Sequence, residues 1–248
     1  MSWGRLATTN YRGAVVPRTL GLVLIACAAI WTVLYGILRQ VDAAGWGALA
    51  GLGLVFSAGL VDDLVPGGPR GLRNHVRALR HGHVTTGILK LLAAVAAAVI
   101  VVILQLPRPG WVRLAGVVLI AACANVWNGL DVRPGRALKA FLLPGLAFVL
   151  WGEMADTAAV AGVLLGALLV LPLDLRELAM LGDGGANVLG FAAGMGLYGV
   201  LPGGWVAAAA VIAVGLNVIA ETVSFSSVID ATRPLRWIDG LGRRHRAP

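Results

Sequence analysis

Asp62 and Asp63 in Gly59-Leu-Val-Asp-Asp-Leu64, Asp131 in Asn125-Val-Trp-Asn-Gly-Leu-Asp131, and Asp183 in Leu181-Gly-Asp-Gly-Gly185 are the residues of this chain best suited to chemistry. The first three follow directly on apolar runs, and the fourth leads into one. A helix C-terminus carries about half a negative charge, so a carboxylate there is unfavourable unless a cation offsets it. Acidic groups at membrane depth are costly and mark functional sites by default. The simplest reading is a metal site facing the cytoplasm.

The neighbouring residues extend that reading. Asn125, Asn128 and Asp131 recur every three positions, which places two amides and a carboxylate on one helix stripe. Such a stripe suits hydrogen bonding to a polar ligand, and Asn equally serves as a hydrogen-bonded contact between packed spans. Gly182-Asp-Gly-Gly-Ala-Asn187 opens an apolar segment. Small residues there, Gly184 among them, let backbone N–H groups approach a phosphate at the helix N-terminus. Asp183 is then placed to hold Mg²⁺ against that phosphate, because Mg²⁺ takes hard oxygen ligands and shares them with phosphates. Taken alone, the same motif is equally a turn with an N-cap.

The elements that must position these residues are membrane spans. The 248 residues are 58% hydrophobic and 13% charged, about half the charged fraction of an ordinary soluble domain. Apolar stretches near 19–38, 44–60, 87–106, 111–127, 137–151, 155–171, 185–201 and 203–223 each approach the ~20 residues that cross a bilayer. The expected fold is an all-α, polytopic membrane bundle of about eight spans forming a single domain over 1–248. The stretch at 137–151 holds Pro144, which predicts a tilted or broken helix.

Charge orients the bundle. With an even span count and both termini cytoplasmic, only Arg39, Arg108 and Arg113 of the 20 basic residues fall outside, leaving 17 inside. The net charge of +8 is thus spent on topology, and nucleic acid is excluded as a partner in favour of the lipid bilayer. The acidic motifs after spans two, four and six all emerge on that inner side. A basic amphipathic stretch from Arg70 to His83 follows the helix-stopping Val65-Pro-Gly-Gly-Pro69 and suits the anionic inner leaflet. Its histidines His75, His81 and His83 read as solvated or at the lipid surface. Cys27 and Cys123 both sit inside apolar runs, so no disulfide framework is expected. Leu24-Ile-Ala-Cys27 imitates a lipoprotein cleavage box, but the apolar run continues to Leu38 and reads as a retained span. Arg outnumbers Lys 18 to 2 in an Ala-, Gly- and Val-rich chain, which points to a GC-rich bacterial genome and hence the bacterial cytoplasmic membrane.

These segments together resemble the polyprenyl-phosphate N-acetylhexosamine-1-phosphate transferases, the membrane family that includes phospho-N-acetylmuramoyl-pentapeptide transferase. Gly59-Leu-Val-Asp-Asp-Leu64 looks like the family's Asp-Asp motif, and Lys90 matches a lysine early in the following span. Asn125-x-x-Asn128-x-x-Asp131 is similar to the family's Asn-x-x-Asn-x-x-Asp-Gly segment, and Leu181 to Gly190 to its Gly-Asp-x-Gly motif. Glu221-Thr-Val-Ser224 echoes the start of its last cytoplasmic loop. The resemblance implies Mg²⁺ on Asp183, with Asp62 or Asp63 as base or ion ligand near a lipid phosphate. It implies Asp131, Asn125, Asn128 and Gly184 lining the cleft and Lys90 facing a phosphate. Arg236 and His245, in the basic tail, would approach a substrate phosphate. The implied partners are a polyprenyl (undecaprenyl) phosphate and a nucleotide sugar, of the UDP-N-acetylhexosamine type, and a homodimer is left open. The chain departs from the family at Pro134, where a second acid associated with nucleotide recognition is usual, and in the absence of a histidine-rich sugar loop. It also has fewer spans than is usual. Those departures leave a second reading open, a non-catalytic relative that binds polyprenyl phosphate or scaffolds an envelope enzyme.

Overall fold

A computed structural model of the chain describes residues 6–65, 71–105, 107–151 and 154–243. Six of its helices are long and apolar enough to cross a membrane: Leu20–Arg39 (α1), Ala43–Leu64 (α2), Thr86–Leu104 (α4), Gly110–Leu130 (α5), Ala158–Leu175 within Met154–Leu175 (α7), and Gly203–Ala220 (α9). The architecture is that of an all-α, multi-pass membrane bundle. Two further long helices complete it, Arg136–Trp151 (α6) and Gly182–Val200 (α8), and short helices Leu72–Arg80 (α3), Phe225–Ala231 (α10) and Arg233–Gly240 (α11) lie between and after them.

All eight apolar stretches are helical. α6 runs through Pro144 and at 16 residues is shorter than the ~20 of an ordinary span. α8 reaches 19 residues, but its seven glycines, Asp183 and Asn187 leave it less apolar than the six membrane-length helices. Its composition follows from its place. α8 is the axis of the bundle, buried along nearly its whole length against α1, α2, α5, α6 and α7. Small residues let membrane helices approach closely, where packing rather than the hydrophobic effect holds them. A Cβ on Gly59 of α2 would sit 2.6 Å from Gly184 Cα, and one on Gly21 of α1 would sit 2.8 Å from Gly185 Cα. α9 shows the opposite pattern, exposing Trp205, Val211 and Ile212 and resting almost wholly on α5.

One element was not expected. Ala7–Thr9 (β1) and Val15–Pro17 (β2) form a two-stranded antiparallel hairpin with Thr8 opposite Val16. Asn10 closes its turn by accepting the N–H groups of Arg12 and Ala14 on its side-chain oxygen. The hairpin is pinned to the segment before α8, where Met180 N–H donates to Pro17 O and Leu20 N–H to Met180 O. It delivers Arg18 to the start of α8.

Candidate active site at the end of α2, α4 and α8

α2 extends past the expected boundary and ends at Leu64, so Asp62 and Asp63 occupy its last turn, which holds no basic residue of its own. Their cations come from elsewhere. Lys90, in the first turns of α4, places its ammonium 2.5 Å from an Asp62 oxygen and 2.5 Å from an Asp183 oxygen. Three elements distant in sequence therefore converge on one nitrogen. The three side chains keep part of their surface open, Asp183 most of all at 33%.

The twin aspartates are not equivalent. Asp63 is 3% exposed at its side chain and is fully engaged. Arg18 Nη1 donates to one of its oxygens at 2.7 Å, and the N–H of Gly184 donates to the other at 3.2 Å. The first N–H groups of a helix lack intrahelical partners, and Asp63 supplies one to α8 from across the bundle. Gly182 completes the fit. Its φ of +70° favours glycine, and a Cβ there would meet Asp63 Oδ2 at 2.6 Å. Asp183, in the first turn of α8, lies where the helix dipole favours a negative charge.

Gly184 faces Phe56, whose ring lies 3.1 Å from where its Cβ would be, and its N–H already serves Asp63. Asp131 caps the C-terminus of α5. Desolvation, then the nearby charges of Asp174, Asp183 and Asp63, push its carboxyl well above the usual carboxylate range. It opens not onto Lys90 but onto a small cavity, little more than water-sized, shared with Asn10, Arg133, Pro134, Asp174 and Glu177. The Asn stripe divides. Asn125 donates to Asn217 Oδ1 of α9 at 2.5 Å, and Asn217 donates on to Ala122 O and Ala213 O, so this amide joins α5 to α9. Asn128 stays half-buried beside Asp131, whose N–H it accepts on its carbonyl. Arg236 lies exposed on α11 and donates to Asp230 O at 3.3 Å. His245 lies outside the described residues.

Several participants escaped the sequence reading. Arg18 counted only as basic charge. Asp174 satisfies the criterion that flagged the other acids, a carboxylate in the last turn of an apolar helix, but the boundary drawn at 171 left it in a loop. In the structure α7 continues through Pro172, and Asp174 accepts the N–H of Gly135 at 2.6 Å. Glu177 takes a φ of +58° and binds Asn10 and Arg12 of the hairpin. His75 is no solvated loop residue, because its Nδ1 lies 2.8 Å from Thr85 Oγ1 at the cap of α4.

The donor set can be weighed against Mg²⁺. Among the described residues no three His, Cys, Asp or Glu side chains gather closely enough to hold a metal ion on protein ligands alone. Asp62 and Asp183 do converge on one point, and Mg²⁺ is commonly held by one or two carboxylates together with waters and substrate phosphates. The site suits an ion that arrives with a phosphate and does not form an all-protein cage. No protein-family model matches this sequence, and no curated protein matches it.

Proposed function

We propose that this chain is a multi-pass phosphoglycosyltransferase of the bacterial cytoplasmic membrane. It would transfer a sugar-1-phosphate from a nucleotide sugar, of the UDP-N-acetylhexosamine type, to a polyprenyl phosphate in cell-envelope biosynthesis. The observation that carries this reading is Lys90 held between Asp62 and Asp183, at the meeting of α2, α4 and α8. The motif resemblance described above, which includes these same residues, supports it. A lipid-phosphate oxygen attacks the sugar-bearing phosphorus, the bond to the second phosphate breaks, and nucleoside monophosphate leaves. Two anions must approach each other for this, so cationic and in-line positioning supply most of the rate. Lys90 turns from its carboxylates to the diphosphate oxygens. Asp62, the open member of the pair, faces the lipid phosphate, while Asp63 and Arg18 hold the start of α8 in place. Asp62 and Asp183 are the residues that would hold Mg²⁺, which would supply charge neutralisation for a phosphate leaving group.

A second reading has its own support. Asp63 is fully engaged with Arg18 and Gly184, and Pro134 stands where the resembling family carries an acid. On that reading the cleft binds polyprenyl phosphate without turnover. Purified protein with Mg²⁺, undecaprenyl phosphate and a panel of nucleotide sugars separates the two. Release of nucleoside monophosphate supports transfer, and lipid-phosphate binding without release supports the alternative.

The same proposal places both termini in the cytoplasm, with α1, α2 and α4 to α9 as eight crossings. Single cysteines at Gly110 and Gly203, in a background lacking Cys27 and Cys123, should react with an impermeant thiol reagent added outside. Labelling at Gly82 instead would overturn the topology.

A further inference from the structure

The tail beyond α9 is held by a closed set of polar contacts. Asp239, 6% exposed, receives the Arg136 guanidinium at 2.9 and 3.0 Å and that of Arg243 at 2.5 Å. Lys139 donates to the carbonyls of Ile238, Asp239 and Leu241, capping the C-terminus of α11. Arg136 and Lys139 lie in the first turn of α6, and the tail's Phe225 and Gly242 pack near Gly129 and Leu175 at the ends of α5 and α7. α11 therefore sits at the depth where the spans end.

Its outward face is fixed by the same contacts. On a helix of 3.6 residues per turn, the side opposite Asp239 carries Pro234 and Trp237, with Leu241 at the cap and Ile238 on the flank away from the arginines. All four are exposed, Trp237 at 68%. Arg233 and Arg236 fall along one flank and are exposed too. A short helix with an apolar face turned away from its own protein, a tryptophan at its centre and guanidinium groups beside it suits the headgroup boundary of a bilayer. We infer that α11 is an interfacial anchor whose Trp237 face lies in the acidic lipid surface surrounding the bundle. Anionic headgroups complement Arg233 and Arg236, and the acyl boundary covers the apolar face. The Asp239 contacts then tie that anchored helix to the segment before α6 that carries Asp131.

The test uses the full chain in nanodiscs. Spin labels at positions 236, 237 and 241, in a background lacking Cys27 and Cys123, are read against oxygen and a water-soluble nickel chelate. With phosphatidylglycerol present, 237 and 241 should collide more with oxygen and 236 more with nickel. In phosphatidylcholine alone, or with Arg233→Gln, that contrast should shrink. Positions 237 and 241 as nickel-accessible as 236 would overturn the inference, since a protein partner would then have to cover the face. Insertion equal with and without acidic lipid would overturn it as well. Should the labelled variants not fold, headgroup-proximal brominated lipid serves on unlabelled protein. The wild type should lose more tryptophan fluorescence than Trp237→Phe, and equal quenching overturns the anchor.

Discussion

Two charged clusters sit at the same end of this bundle and are built on opposite plans. Around Lys90 and Arg18 stand three carboxylates, Asp62, Asp63 and Asp183, so acid exceeds base. Around Asp239 stand Arg136, Arg243 and Lys139, so base exceeds acid. The first keeps Asp62 and Asp183 partly open at 23% and 33%, while Arg136 and Asp239 are closed at 4% and 6%. An open acid surplus can accept a further cation or release its lysine to an anion. A closed, hydrogen-bonded set can do neither without coming apart. Buried ion pairs are weak evidence for net stability, yet breaking one is costly because it strands a charge. On the proposed function, the difference puts chemistry in the first cluster and fastening in the second.

The largest effect expected from that assignment lies in turnover. Asp183→Asn and Asp62→Asn preserve shape and remove charge, so each should lower nucleoside monophosphate release by about a thousandfold, near 4 kcal/mol in the barrier. Folding should change little. Asp63→Asn should behave differently, because its carboxylate holds Arg18 and the start of α8. Loss of a charged hydrogen bond and a cap predicts about 1–3 kcal/mol of lost stability. Thermal unfolding measured alongside activity distinguishes the twins. Asp183→Asn retaining activity within a few-fold would remove it from the site.

The next effect belongs to the fastening. Asp239→Ala leaves Arg136 buried without its carboxylate and should cost about 3 kcal/mol, the lower end for a broken buried pair. Release of α10 and α11 from the bundle, read by protease access to the tail, should accompany it. Arg136→Met combined with Asp239→Leu should be less damaging than Asp239→Ala, because the buried Arg136 charge is removed and only Arg243, which keeps its bond to Pro134 O, loses a carboxylate. If Asp239→Ala leaves the tail protected, Phe225 and the Lys139 cap hold it and the cluster is incidental.

The two clusters were unequally legible in the sequence. Every long helix was readable from apolar runs, because lipid demands length and hydrophobicity from each span. α8 was readable too, but its place at the bundle axis was not. Glycine spacing marks close approach without naming the partner, and only the fold shows Gly59 and Gly21 meeting Gly184 and Gly185. Asp62, Asp63 and Asp183 stood out because charge is rare in such helices, and Lys90 only through the motif resemblance. Nothing in the adjacent pair Asp62-Asp63 says which faces the site, since that depends on Arg18, 45 residues away from Asp63 along the chain. Asn125 carried two readings, and the contact with Asn217 shows the interhelical one. The Asp239 cluster was illegible for a simpler reason. Arg136, Lys139 and Arg243 looked like topology charges, and their partner lies about a hundred residues further along the chain from the first two.

The smallest effect is a pair of opposite responses to acid. Burial alone would raise the Asp239 carboxyl, but the hydrogen bonds from Arg136 and Arg243, and their charges, hold it below the ordinary value of 3.8. A carboxyl lowered on folding contributes stability that is fully present above its unfolded value and lost as pH falls through its folded one. The tail should therefore stay fastened from neutral pH down to about 4 and loosen below that. Asp131 runs the other way, because desolvation and three neighbouring carboxylates raise it. Its ionised form opposes folding, so acidification from neutral pH toward the unfolded value relieves a penalty instead of adding one. Stability measured against pH should then show two separable features. Asp131→Asn should raise stability at neutral pH and flatten the profile above pH 4, leaving the acid loss intact. Asp239→Asn should remove the acid loss below pH 4 and leave the upper slope intact. If Asp131→Asn instead destabilises the protein at neutral pH, its carboxylate has a partner in the cavity that offsets the surrounding acids. The open acid surplus would then extend less far than the arrangement of Asp63, Asp174 and Asp183 implies.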